Sequence, residues 1–214
     1  ISVVALPPPP PAPPPPPVIG GRIKTRHDNF PNFGEPPPIK AVVSGDWSAP
    51  STWNLGRIPR PGDVFSTANR RVIFDSLTGD VLTGVVDPGG EFLYRTDIAT
   101  RLIAQNLLVH EHGLLTMGTQ SGPVVAGVKA ELLIADKPLD LANDPEQWGN
   151  SLLVLGTFES CGASKGPSWV WLAAEPKAGD TTLRLAQPAT GWKVGDRLVL
   201  PDSHIVSIYV PGDA

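Results

Sequence analysis

The chain has 214 residues, of which 22 are Gly and 26 are Pro; 18% are charged and the formal net charge is −4. Low charge with abundant Gly and Pro speaks against a helical bundle and for many short strands and turns. A mildly acidic chain without a dense basic patch is poorly suited to nucleic acid, and no apolar run reaches the roughly 18 residues a membrane helix needs. The single cysteine, Cys161, rules out an intramolecular disulfide framework. The chain opens on Ile1, and residues 1–6 (ISVVAL) read either as the tail of a signal-peptide apolar segment or as an ordinary tail. Residues 7–17 are Pro apart from Ala12. Such a run forms polyproline II, a stiff spacer of roughly 3.1 Å per residue, or a ligand for aromatic grooves. The spacer fits better, since no flanking specificity residues accompany it. Residues 1–40 are therefore expected to be an irregular arm.

Residues 41–64 (AVVSGDWSAPSTWNLGRIPRPGDV) open the ordered region. Val42 and Val43 suggest a short strand before the Gly45-Asp46 turn, and Pro59, Pro61, Gly62 and Asp63 make a rigid turn before Val64. Trp47 and Trp53 bracket this stretch. Exposed, they would be a sugar-stacking platform; buried, they would plug the open end of a stacked-strand core.

The centre of the chain repeats one pattern. Residues 85–94 (VVDPGGEFLY), 108–118 (LVHEHGLLTMG) and 152–160 (LLVLGTFES) each carry an apolar run, a Gly break and a second alternating run. Aligned on Gly90, Gly113 and Gly156, each has an apolar residue four before the Gly (Val86, Val109, Leu152) and two after it (Phe92, Leu115, Phe158). The spacings suggest one and then two units of roughly 22 residues, the mark of a stacked-repeat architecture and, for strand-like units, of a parallel β-helix. Residues 71–75, 81–86, 91–95 and 129–135 read as strands on the same grounds. Residues 100–109 could be helical by composition, but the repeat places a strand there.

Taken together, Trp47-Ser48, Thr52-Trp53, Gly56-Arg57-Ile58-Pro59 and Pro61-Gly62-Asp63-Val64 resemble the opening of the eight-glycine ("G-eight") domain. Its later signature is matched by residues 107–109, Gly113, Leu115, Gly118-Thr119 and Pro123. One departure stands out: His112 occupies the position before Gly113 where the family has Gly. The resemblance covers about residues 41–140. It implies short β-strand pairs with one helix, followed in several members by a right-handed β-helix. The domain occurs in fibrocystin, in cell-migration-inducing and transmembrane hyaluronidases and in bacterial surface proteins, so an extracellular or cell-surface location is implied.

His110-Glu111-His112 resembles a metal site, but spacing fixes no third ligand, so no metal and no cofactor is expected. The repeat instead places Asp87 beneath His110 in the neighbouring rung. Such a pair would orient the imidazole, or would be an exposed charge pair of little consequence. Residues 144–147 (DPEQ) carry a helix-start signal, with Gly149 ending the helix after one turn. Cys161 reads as a small packed residue. In residues 169–172 (WVWL), Trp169 and Trp171 would share one strand face, either core or a glycan platform. Residues 178–185 and 192–200 both read as a Gly-Asp turn feeding an alternating strand, similar to a small β-module found after the eight-glycine domain. The run from His204 to Ala214 lacks a closing motif, which suggests part of a longer protein.

The expected architecture is all-β: a right-handed parallel β-helix of short strands with one short helix and an appended small β-module. The expected divisions are residues 1–40 as arm, 41–141 as eight-glycine domain with cap and first rungs, and 142–214 as continuation and module. The expected function is an extracellular, carbohydrate-associated module that binds a polysaccharide or glycosaminoglycan-like glycan through Trp47, Trp53, Trp169 and Trp171. The alternatives are the N-terminal part of a glycan-degrading enzyme, with Glu91, Asp97, Glu111 and Glu131 as available acids and no pair singled out, and a structural stalk.

Overall fold

The computed structural model describes residues 21–34 and 39–200. The expectations for residues 1–20 and for the stretch from residue 201 onward lie outside the described residues. The chain divides into two compact units, one ending at Ala163 and the other beginning at Ser164.

The first unit is all-β. A short antiparallel hairpin, β1 (Arg22–Lys24) with β2 (Asn29–Pro31), precedes eleven strands in two parallel sheets. The chain alternates between the sheets. One holds, in spatial order, β3 (Ile39–Lys40), β5 (Val64–Ser66), β7 (Gly79–Val86), β9 (Thr100–Val109) and β11 (Ala130–Ile134), with β12 (Ser151–Val154) also paired to β9. The other holds β4 (Gly45–Asp46), β6 (Arg71–Phe74), β8 (Glu91–Tyr94), β10 (Leu114–Met117) and β13 (Thr157–Ser160). Each pass of the chain thus adds one tier to both sheets. The strand reading of residues 100–109 holds: β9 is ten residues long and hydrogen-bonds in parallel along β7.

The apolar pattern accounts for the packing. Phe65, Val72, Phe74, Val86, Phe92, Tyr94, Leu102, Leu107, Val109 and Leu115 belong to one buried cluster between the sheets. Its aromatics stack tier on tier: ring centroids are 5.3 Å apart for Phe65–Phe92, 5.5 Å for Phe74–Phe92 and 4.9 Å for Phe74–Tyr94. Val64, Val85 and Leu108 are buried outside this cluster, and Gly34 closes on Val85. A parallel strand covered on both faces reads as a near-continuous apolar run, which is why residues 107–109 show no alternation. The β7–β9 register skips Leu82 and Gln105, and there the in-and-out alternation changes phase.

The glycine column of the repeat is real. Glu91, Leu114 and Thr157 are in register, so Gly90, Gly113 and Gly156 stand beside one another. Here the missing Cβ is a packing requirement. A Cβ on Gly113 would stand 2.8 Å from the Val86 carbonyl oxygen and 3.0 Å from that of His110, and one on Gly156 would collide with the carbonyl oxygens of His110 and Gly113. The position before this column is left-handed in successive tiers: Asn69, ahead of Arg70, at φ 59°, Gly89 at φ 73° and His112 at φ 62°.

Four expectations are corrected. Residues 22–24 and 29–31, expected to lie in an irregular arm, pair as the β1–β2 hairpin, with Phe30 buried. The interval from Gly113 to Gly156 is one tier, since both glycines lie in adjacent strands. β11 continues along the first half of β9 and β12 along the second half, so residues 135–150 are an excursion within a single tier. The turn before Gly156 is also two residues shorter than the one before Gly113, so Val154 pairs with Val109, and Leu152 with Leu107. Residues 144–147 form no helix. The Asp144 carboxylate accepts hydrogen bonds from the Trp148 and Gly149 amides at 2.9 and 2.8 Å, closing a turn that ends before a second helical turn can form. Among the described residues the helical element is a 3₁₀ turn, Pro50–Thr52.

The second unit, described to residue 200, is built of turns. Lys177-Ala178-Gly179-Asp180 and Lys193-Val194-Gly195-Asp196 have the same construction. In each, the Asp carboxylate accepts the Lys amide at 2.8 Å, and the Gly is left-handed, at φ 94° and 98°. The strands expected after these turns, and the WVWL strand, reduce among the described residues to one antiparallel bridge, Leu172 with Leu185.

Candidate functional site

The two tryptophan pairs expected to stack on sugar differ in surroundings. Trp47 and Trp53 are 1% and 2% exposed, so no ligand can reach their faces, and their assignment as a platform is corrected. Trp47 lies against Trp53, Phe65, Phe74 and Phe92, with centroids 4.9–5.8 Å away. The Trp53 indole N–H donates to the Trp47 carbonyl oxygen at 2.9 Å. The pair is part of the core at the β4 edge. Trp169 and Trp171, in the second unit, are 63% and 66% exposed. Their rings meet edge to face, centroids 5.2 Å apart at 82°.

The loop after Trp53 is closed by Arg57 and Asp63. The guanidinium grips both carboxylate oxygens, at 2.5 and 3.1 Å, and the Arg60 amide adds a third bond at 2.8 Å. Arg57's hydrogen bonds hold the Asp63 carboxyl below the usual carboxylate range, against the opposing effect of partial burial. The Asp63 carbonyl oxygen in turn accepts the Leu82 amide at 2.8 Å, tying this loop to β7. The motif Gly56-Arg57…Gly62-Asp63 therefore anchors the first tiers.

Asp87 and His110 do occupy matching positions, since Val86 pairs with Val109 and the His110 amide donates to the Val86 carbonyl oxygen. The ion pair does not form. The Asp87 carboxylate turns to the preceding tier, where Ser66 Oγ, at 2.6 Å, and the Ala68 amide, at 2.8 Å, donate to it. These fixed donors outcompete a half-exposed imidazole, so the pairing is corrected. Among the acids, Glu91 is gripped by Arg71, Asp97 by Arg95 and Glu131 by Arg101. Arg95 beside Asp97 holds that carboxyl below its ordinary value, the opposite of what a general acid needs. Cys161 is half-buried, and its thiol lies 3.7 Å from the Gly162 carbonyl oxygen.

The sequence reading missed a cleft in the first unit. It lies where β7 and β9 change phase, between the segment from Gly21 to Phe33 and the excursion from Pro138 to Gly149, and encloses about 300 Å³. Thr83 and Asn106, in register on neighbouring strands, are 1% and 4% exposed and line it. The Asn106 side-chain oxygen has no hydrogen-bond partner. Asp144, 3% exposed, forms part of the wall with its carboxylate occupied by the two amides described above. The available signal was the polar Gln105-Asn106 dipeptide interrupting the apolar run from Leu102 to Val109.

Compared with known proteins, residues 52–173 match the G8 domain. Fibrocystin-L of Mus musculus is 26% identical over 160 residues, and fibrocystin of Mus musculus is 25% identical over 163. Fibrocystin-L of Homo sapiens is 28% identical over 162 residues. These alignments cover 72–75% of this chain and 4% of each relative, so the chain spans a small fraction of the curated proteins it matches. No solved structure matches significantly.

Proposed function

The chain belongs to the G8 domain family, and from that premise we propose that it is an extracellular or cell-surface module that binds polysaccharide without performing chemistry in this segment. Its two alternating parallel sheets are read as the sides of a right-handed β-helix. The alternation of successive strands between the two sheets from β3 to β10 supports this, as does the turn geometry shared at Asn69, Gly89 and His112. The Pro-rich arm is read as a spacer holding the module away from its point of attachment.

The observation that carries the binding reading is the exposure of Trp169 and Trp171, 63% and 66%. Large aromatic side chains left in water are costly unless a partner covers them, and an indole face matches the apolar face of a pyranose. The glycan expected is an extended polysaccharide or glycosaminoglycan-like polymer, which an open surface pair can contact without enclosing. The Arg–carboxylate pairs at Glu91, Asp97 and Glu131 favour a binding role over hydrolysis, because each of those carboxyl groups is already engaged by a guanidinium.

The test is titration of the chain with hyaluronan, alginate and a neutral glucan, followed by intrinsic tryptophan fluorescence and by calorimetry. A saturable change with at least one polymer, lost in the Trp169→Ala/Trp171→Ala double variant, is expected. Binding of equal strength in that variant, or no binding to any polymer, would sink the proposal.

A further inference from the structure

We infer that the cleft over Thr83 and Asn106 is a second glycan contact, a pocket that takes one neutral pyranose residue. This inference rests on the reading that glycans are the ligands of this chain, but it uses residues in a different unit from the tryptophan pair.

The argument starts from the strand. Towards the C-terminal ends of β7 and β9 the buried positions facing away from the central cluster, Val85 and Leu108, are apolar. At the phase change two polar side chains, Thr83 and Asn106, stand side by side instead, one tier apart and almost wholly buried. Parallel strands lie about 4.8 Å apart, a spacing that lets two such groups reach neighbouring hydroxyls of one ring.

Buried polar atoms in folded proteins nearly always have a hydrogen-bond partner. The Asn106 side-chain oxygen has none from the protein. A single trapped water would satisfy it in a small void, since a water occupies about 30 Å³. The cleft holds about 300 Å³, which places it at the lower end of the roughly 300–1,000 Å³ range of ligand pockets. That size suits one ring and excludes a long stretch of polymer.

The lining selects the chemistry. Thr83, Gln105 and Asn106 are neutral and can both donate and accept, as sugar hydroxyls can. Phe33, Leu82 and Leu139 supply an apolar surface for the C–H face of the ring. A negatively charged sugar is disfavoured. Two acidic residues, Asp140 and the buried Asp144, stand in the wall against one guanidinium, Arg22, which is held in place by Asn29 and by the Asn143 carbonyl oxygen.

The test uses the whole chain with D-glucose, D-galactose and N-acetyl-D-glucosamine as neutral probes and D-glucuronate as the anionic one, read by saturation-transfer NMR and by competition calorimetry. At least one neutral sugar is expected to saturate the cleft, more tightly than glucuronate. Asn106→Leu and Thr83→Val, which keep the heavy-atom count and branching of the native side chains, are each expected to weaken it about tenfold, the loss of one hydrogen bond to a buried group. The Trp169→Ala/Trp171→Ala variant is expected to keep the monosaccharide signal. The proposal is overturned if no neutral sugar binds, if glucuronate binds as tightly, or if both cleft variants bind like the native chain; should Asn106→Leu not fold, Thr83→Val decides. Polymer binding that needs the tryptophan pair, with no monosaccharide signal, removes this inference and leaves the proposed function standing.

Discussion

The two tryptophan pairs have almost the same internal geometry and opposite roles in the structure. Trp47 and Trp53 meet edge to face with centroids 5.1 Å apart at 81°; Trp169 and Trp171 do so at 5.2 Å and 82°. The first pair is 1–2% exposed and the second 63–66%. Ring-to-ring geometry therefore carries no information about role. What decides is the setting: Trp47 stands over three stacked phenylalanines of a tiered core, whereas Trp169 and Trp171 lie in a turn-built unit with a single strand bridge among its described residues. In the first setting an indole adds to the hydrophobic cluster. In the second it is left in contact with solvent.

The largest effect that separates the pairs is on folding. Trp47→Ala removes a buried indole with four aromatic neighbours, and a loss of about 3–5 kcal/mol is expected, measured by urea unfolding of the chain. Trp169→Ala/Trp171→Ala, by contrast, should change stability by no more than roughly 0.5 kcal/mol, as exposed substitutions do, while abolishing polymer binding. If Trp47→Ala were as mild as the exposed double variant, the division between core pair and surface pair would fail.

This comparison also shows what the sequence could reveal. The column Gly90, Gly113, Gly156 was legible because the close approach of turn backbones permits no side chain there, so the requirement is written in residue type. Strand identity for Thr100–Val109 was legible from the same register. The length of the final tier was not, because β11 and β12 share a partner strand and residues 135–150 are inserted between them; spacing alone cannot distinguish an insertion from an extra tier. Neither tryptophan pair declared its exposure, because burial depends on which residues fold over the rings. Asp87 and His110 were correctly placed side by side, yet local donors at Ser66 and Ala68 captured the carboxylate. The cleft was hidden because its residues come from four distant segments, the stretch from Gly21 to Phe33, strands β7 and β9, and the excursion.

A smaller effect tests whether the Arg57–Asp63 staple belongs to the tiered core. Asp63 titrates below its ordinary value of 3.8 in the folded chain, chiefly through the Arg57 hydrogen bonds. Its contribution is thus fully present above the unfolded carboxylate value and is lost as pH falls through the lower folded one. Stability measured from pH 6 to pH 2 should fall less steeply in Asp63→Asn than in the native chain below about pH 4, with a lower plateau at neutral pH. Part of the loss is screened, because both side chains keep some exposure, 31% and 18%. An acid limb identical in both proteins would show that the staple is not coupled to folding of the tiers.

The smallest expected effect concerns the turn in which His112 replaces the glycine of the family pattern. His112 sits at φ 62°, aligned with Gly89 at φ 73° in the tier before it. A side chain in the left-handed region costs roughly 1–2 kcal/mol, while glycine's extra freedom in the unfolded chain costs roughly 0.5–1 kcal/mol. His112→Gly should therefore leave stability unchanged or raise it by up to about 1.5 kcal/mol, and His112→Ala, which keeps the Cβ, should bring no gain. Thermal unfolding of the two variants side by side decides the matter. Should His112→Gly instead destabilise the chain by more than about 1 kcal/mol, the imidazole itself would be holding the turn. The tiered unit would then depend on a polar contact at its surface, and the contrast between a core that is complete in itself and an exposed tryptophan pair would need to be redrawn.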